Sequence, residues 1–189
     1  MPDMGHQMNG AESKNGTTEA QINLAIVLKI QQLLEQSGCT VVLTRSDENA
    51  IYDLDAKTLK QKKVSDIHNR VKIGNDSSAD IFVSIHLNKI AQQQYYGWQT
   101  FFNTNNEQSK VLAEEIQSNL NEVMQKENNR IAMKLNTVYI MKHVEIPISI
   151  VECGFLSNPQ EEQQLQDEEY QNRLAWGIYN GIICYFQNK

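Results

Sequence analysis

Two histidines and two glutamates in this 189-residue chain stand at positions where α/β proteins commonly build chemistry. His86 directly follows the run Ile81-Phe82-Val83-Ser84-Ile85, and Glu152 directly follows Ile148-Ser149-Ile150-Val151. His6 lies in an N-terminal loop, and Glu19 opens the first amphipathic stretch. In open α/β sheets, functional groups gather at the carboxyl ends of the strands. Two imidazoles and a carboxylate form a common hydrolytic zinc set, with one coordination position left open. A second carboxylate then moves a proton between water and the leaving group. Plainer uses compete with that reading. A histidine at a strand end is often just a hydrogen-bonded polar group, and an acid in the first turn of a helix is favoured by the helix dipole alone. Glu152 is harder to dismiss, because an acid following a buried strand needs a partner. Spacing alone leaves a metal site and a structural role evenly balanced.

The elements that must position these groups follow from hydrophobic pattern. Residues 1–17 carry Gly, Asn and Ser without periodicity and read as a loop. Thr18 with Gln21 reads as a capping box, and Ile22, Ile26, Ile30 and Leu33/Leu34 then form one helical stripe that Gly38 ends. Thr40-Val41-Val42-Leu43-Thr44 is β-branched and apolar and predicts a buried strand. A helix ending near Asn75 follows, then strands at 81–85 and 98–102. Leu112, Ile116, Leu120 and Met124 mark a helix, residues 138–141 and 148–151 two further strands, and Tyr170, Leu174, Ile178 and Ile182 the last helix. Strands alternating with amphipathic helices predict a single α/β domain over residues 1–189, with a mostly parallel twisted sheet of about five to six strands and helices on both faces.

Composition narrows the partners. Lys plus Arg number 17 against 23 Asp plus Glu, a net charge of −6, with no long basic run, so nucleic acid is excluded as the partner. Cys39, Cys153 and Cys184 are too few and too scattered for a disulfide framework or a CxxC metal site. No run reaches the length of a membrane span, and the first residues show no signal-peptide pattern.

Four ordered motifs resemble one family. Asp3-Met4-Gly5-His6, then Glu19, then Ser84-Ile85-His86-Leu87-Asn88, then Val151-Glu152-Cys153-Gly154-Phe155-Leu156-Ser157-Asn158 are similar to the signatures of the zinc-dependent N-acetylmuramoyl-L-alanine amidases (amidase type 3). Between them, Thr44-Arg45-Ser46-Asp47 and Arg70 to Asn75 resemble two further family segments. The long stretch from Glu48 to Asn69 and the approach Val144-Glu145-Ile146-Pro147 resemble the sporulation-type branch, which acts on spore-cortex peptidoglycan. The resemblance implies a zinc (Zn2+) site on His6, Glu19 and His86, with Glu152 as the catalytic base. It implies hydrolysis of the amide between N-acetylmuramic acid and L-alanine, outside the membrane, with a role in sporulation and germination and room for a lipoprotein partner. Asn88 and Asp3 are candidates for hydrogen bonding to the substrate or to the ligands. Two alternatives stand beside it: another zinc peptidase with the same ligands, and a metal-poor, inactive wall-binding module.

Two departures from the family pattern are visible. Gln7-Met8 replace the glycine pair that follows the first histidine, and only Met1-Pro2 precede Asp3, where the family has a hydrophobic strand. That strand and any N-terminal signal or anchor are therefore expected to be missing from this chain. Other residues have plainer expectations. Cys153 should face away from Glu152 as an inert buried thiol, because neighbouring strand residues point to opposite faces. Cys39 and Cys184 read as helix-end and core positions, and His68 and His143 as surface groups. Tyr95-Tyr96-Gly97-Trp98 reads either as a packed turn or as a glycan-binding edge.

Overall fold

The computed structural model describes residues 10–188. Asp3, His6, Gln7 and Met8, and with them the expectations for the missing first strand, lie outside the described residues. Six helices and four strands are assigned: α1 (Glu19–Gln36), α2 (Leu59–Asp76), β1 (Phe82–Asn88), β2 (Gln99–Phe102), α3 (Glu107–Met124), β3 (Met133–Lys134), α4 (Tyr139–His143), β4 (Ile148–Phe155), α5 (Pro159–Gln166) and α6 (Glu168–Gln187). The strand order is β1-β4-β2-β3, with β1/β4 and β2/β3 parallel and β2/β4 antiparallel.

Alternation along the strands sorts the core into two layers. Ile85 and Leu87 of β1 and Val151 and Cys153 of β4 pack with the apolar stripes of α1, α3 and α6. Phe82 of β1 and Ile148 and Ile150 of β4 face the other way, against Val71 of α2 and Ile140, Met141 and Val144 at α4. Both faces of β4 are thus covered, which accounts for the burial of every residue in it except Glu152. At the crossing of α3 and α6, a Cβ on Gly181 would overlap the Cα of Ile116 and come within 2.8 Å of its backbone nitrogen. Only a glycine lets the two backbones meet there.

Helix ends follow local chemistry. Gly38 takes φ +83°, the Gly38 N–H donates to Glu35 O at 3.0 Å and the Cys39 N–H to Leu34 O at 3.0 Å, closing α1 with a Schellman motif. The capping box expected at Thr18/Gln21 is absent, because the Thr18 side chain makes no cap bond. It occurs instead on α2, where Thr58 and Gln61 bond reciprocally.

Three sequence expectations are corrected. The described residues hold four strands rather than five or six. Residues 40–44 pair with no strand among them: Val42 is 52% exposed, and the segment is held through side chains, with Arg70 donating to Thr44 Oγ1 at 3.1 Å and Arg45 donating to Ala20 O at 2.7 Å. Val138 to Met141 forms the start of a helical turn, because Ile140, Met141 and Val144 share one buried side at helical spacing. A four-residue apolar run does not distinguish strand from helix. The short strand β3 and helix α5 had no counterpart in the pattern.

A methyl group on Gly181 is the simplest test of this packing. Alanine gains about 1 kcal/mol of helix propensity over glycine, but the methyl meets main chain that cannot rotate aside, and overpacking costs typically 1–3 kcal/mol. Gly181→Ala is therefore expected to lower Tm by a few degrees in thermal unfolding. An unchanged or higher Tm would show that α3 and α6 are free to separate.

Candidate active site

The parallel register pairs His86 with Glu152 across β1 and β4. Partners in a ladder share a face, so both side chains project from the same side of the sheet at its carboxyl edge. Glu19 comes to them from the first turn of α1. Its Oε1 lies 3.0 Å from His86 Nδ1 and accepts the Leu87 N–H at 3.3 Å, while its Oε2 accepts the Ala11 N–H at 2.7 Å. Asn23, one turn along α1, donates Nδ2 to Glu19 Oε1 at 3.3 Å.

Two further features hold this pair. Ser84 stands two residues before His86 on the same face of β1, and its Oγ lies 2.9 Å from His86 Nε2. That contact leaves Nδ1 as the nitrogen aimed at Glu19. Gly10, at φ +75°, lets the N-terminal loop pass directly over Glu19, where a Cβ would fall 2.9 Å from Glu19 Cβ and overlap Oε2. Gly10 thus supplies a left-handed backbone and a close approach over Glu19. The loop is tied down further by Glu162, which accepts from Asn15 Nδ2 at 3.1 Å and from Thr17 Oγ1 at 3.0 Å.

The electrostatics of the three groups are coupled. Burial pushes the Glu19 carboxyl up, but the His86 hydrogen bond and charge and the Ala11 and Leu87 N–H groups outweigh it, and Glu19 stays below its ordinary value. Burial lowers His86, and the Glu19 bond and the charges of Glu19 and Glu152 raise it overall. Glu152 is pushed up to about 7 by burial, with Glu19 adding to the effect and His86 opposing it. Its Oε2 is buried without a hydrogen-bond partner.

The remaining expected residues sort cleanly. Asn88 ends β1 beside this edge, paired with Phe155, and its backbone carbonyl accepts the Leu156 N–H at 2.8 Å. Cys153 is fully buried on the opposite face from Glu152, and burial pushes its thiol far up. His68 and His143 are exposed and lie on either side of Tyr139, with ring centroids 4.5 and 3.8 Å from it. Trp98 is fully buried, whereas Tyr95 and Tyr96 are 45% and 40% exposed. Glu161, also unanticipated, ties the turn before β2 to the end of β4: its two oxygens accept the Gly97 and Phe155 N–H groups, each at 2.8 Å.

Two ligands of one tetrahedral zinc, with bonds near 2.0–2.1 Å, stand roughly 3.3 Å apart. The imidazole nitrogen and carboxylate oxygen already face each other at nearly that separation, and the Ser84 contact fixes the far side of the ring as a supporting group does in metal sites. Among the described residues no group of three or more His, Cys, Asp or Glu is assembled for a metal. The expected third ligand, His6, lies outside them. His86 and Glu19 thus offer two donors at a separation that fits a zinc ion.

A histidine and two glutamates thus meet at the carboxyl edge of a mixed α/β sheet. The profile of the N-acetylmuramoyl-L-alanine amidase family matches residues 1–184, and the chain belongs to that family. In particular it is similar to the CwlD amidase of Clostridioides difficile, whose structure was solved in complex with the GerS lipoprotein, at a TM-score of 0.92 and 44% identity over 95% of this chain and 92% of that one. The catalytic domain of CwlV from Bacillus (Paenibacillus) polymyxa superposes at a TM-score of 0.80 with 29% identity, covering 96% of this chain and 92% of that one. In sequence, the germination-specific N-acetylmuramoyl-L-alanine amidase of Bacillus subtilis is 32% identical over 171 residues, 90% of this chain and 72% of that protein.

The raised Glu152 has a consequence for the metal-free protein. Its folded pKa of about 7 lies above the ordinary 4.5, so its contribution to stability is complete below about pH 4.5 and is lost as pH rises through about 7. The chelated protein is expected to melt at falling temperature between about pH 5 and pH 8. Glu152→Gln should flatten that slope in pH-dependent thermal unfolding. The same slope in both proteins would show that Glu152 is not the buried acid.

Proposed function

We propose that this chain is a zinc-dependent N-acetylmuramoyl-L-alanine amidase that cleaves the amide joining N-acetylmuramic acid to L-alanine in peptidoglycan. The observation that carries the reading is the convergence of Glu19 Oε1 and His86 Nδ1 at 3.0 Å beside Glu152, whose Oε2 is buried without a partner. In this reading His6, Glu19 and His86 hold the zinc, Glu152 is the general base, and Asn88 and Asp3 hydrogen-bond to substrate or ligands. Zinc bound there supplies Lewis acidity, polarising an amide carbonyl and making hydroxide available near neutral pH.

The protein groups complete the chemistry. Glu152, beside His86 and with Oε2 free of any hydrogen-bond partner, is placed to take a proton from the attacking water and release it to the departing alanine nitrogen. The hydrogen bonds from Ala11, Leu87 and Asn23 keep Glu19 ionised and fixed in direction. Ser84 keeps the His86 ring from turning.

The location and biological setting are extensions of the same proposal. The similarity to a germination-specific amidase and to CwlD supports action on spore-cortex peptidoglycan, outside the membrane. The C. difficile structure with the GerS lipoprotein supports a lipoprotein partner for this chain. Among the described residues no helix is long and apolar enough to cross a membrane.

The test is a digest of purified cortex muropeptides by the zinc-loaded protein, followed by mass spectrometry of the products. Free muramic carboxyls and free alanine amines are expected. Glu152→Gln should retain its zinc in elemental analysis while turnover falls by roughly 10²-fold or more, the scale of a lost general base. Loss of zinc from that variant would make Glu152 a ligand instead, and digestion at a different bond would overturn the amidase reading.

A further inference from the structure

The first turns of α2 and the loop before them combine exposed leucines with lysines. Residues 54–63 hold Lys57, Lys60, Lys62 and Lys63 against a single acid, Asp55, in a chain whose net charge is −6. Among them Leu54 is fully exposed and Leu59 is 39% exposed. One exposed leucine on a surface is ordinary, but Leu54 tops a turn that is firmly built. The Ala56 N–H donates to Asp53 O at 3.1 Å, so Leu54 and Asp55 are the central residues of a β-turn. Side chains of α2 fix the strand of chain leading into it. Asp66 Oδ1 accepts the Ile51 N–H and Ser65 Oγ the Asp53 N–H, each at 2.8 Å, and Asn69 Nδ2 donates to Ile51 O at 2.6 Å and to Asp53 Oδ1 at 2.9 Å. Turn geometry favours Gly, Asn, Asp, Ser or Pro, so the backbone does not call for a leucine there.

The cations beside it are available. Lys62 is occupied by Tyr52, its Nζ 3.2 Å from the hydroxyl and 4.5 Å from the ring centroid. Lys57 and Lys60 are exposed, and no ion pair among the described residues includes either. The Thr58/Gln61 capping box fixes the chain between them. This tip stands at the cleft end of the domain. A Cβ on Gly74 would fall 2.7 Å from the Phe82 ring, so the last turns of α2 lie beside the start of β1. Closer to its N-terminus, Arg70 donates to Thr44, whose neighbour Arg45 donates to Ala20 O beside Glu19. At 1.5 Å per residue, Leu59 lies about 16 Å further along the helix than Arg70. Exposed leucines among unpaired lysines match the two layers of an anionic lipid surface. Apolar side chains enter the boundary between headgroups and acyl chains, and ammonium groups meet the phosphates. A soluble polyanion would use the lysines and leave Leu54 without a role.

We propose that the tip formed by Leu54, Lys57, Leu59 and Lys60 is a peripheral docking surface for anionic lipid, which turns the cleft end of the domain toward the membrane. The proposal goes beyond the amidase reading and does not depend on it. The test is co-sedimentation of the full chain with vesicles of phosphatidylcholine mixed with phosphatidylglycerol, beside vesicles of phosphatidylcholine alone. Binding to the mixed vesicles that weakens with added salt, and little binding to the neutral ones, is expected. Leu54→Asp should lower the partition coefficient by roughly 10-fold, and Lys57→Glu with Lys60→Glu by roughly 30-fold or more. All three side chains are exposed and outside the site, so both variants should keep the wild-type Tm and zinc content. No binding of the wild type to the mixed vesicles would overturn the proposal, as would variants that bind as tightly as the wild type. Binding lost in the lysine variant but kept in Leu54→Asp would mark a site for a soluble polyanion and overturn the membrane assignment.

Discussion

The cleft depends on the register between β1 and β4. Ile85 opposite Val151 is a buried pair in the parallel ladder, and the next pair along it is His86 opposite Glu152. Side chains alternate between faces, so sliding one strand by a single residue would turn one of these groups into the α1/α3/α6 core. The apolar layers on both sides of β4 resist that slip, since Val151 and Cys153 belong to one and Ile148 and Ile150 to the other. Hydrophobic burial at the centre of the sheet therefore sets the geometry of polar groups at its edge. The same ladder carries the row on to Gln99.

Glu19 reaches the row by a different route, through polar contacts rather than packing. Its carboxylate binds backbone N–H groups of two separate segments, Ala11 in the loop and Leu87 in β1, and so joins the start of α1 to the end of the strand. Hydrogen bonds of this charged kind are stronger than neutral ones and fix direction. Gly10 makes the loop's approach sterically possible, and Glu162 anchors the same loop from α5. Burial raises Glu152 and these contacts lower Glu19, so neighbouring carboxyls are driven apart in acidity.

Much of this was legible in the sequence because it rests on periodicity. The helices with clear stripes, the strands around His86 and Glu152, and the opposite-face placement of Cys153 are all consequences of spacing. Residues 40–44 misled because β-branched composition marks extended backbone without supplying a ladder partner, and Arg70 and Arg45 hold the segment instead. Residues 138–141 misled because four apolar residues fit either period. Gly10 and Glu161 were invisible as site residues for another reason: each matters through a contact with a residue distant in the chain or through backbone geometry.

The central claim is that the edge built by this register holds one zinc on the His86 and Glu19 side and leaves Glu152 free of it. Anomalous diffraction at the zinc edge from crystals of the zinc-loaded protein measures this directly. The account predicts one peak within bonding distance, about 2.0–2.2 Å, of both His86 Nδ1 and a Glu19 oxygen, with no such contact to Glu152. A peak bonded to Glu152, or zinc seated away from His86 and Glu19, would contradict it.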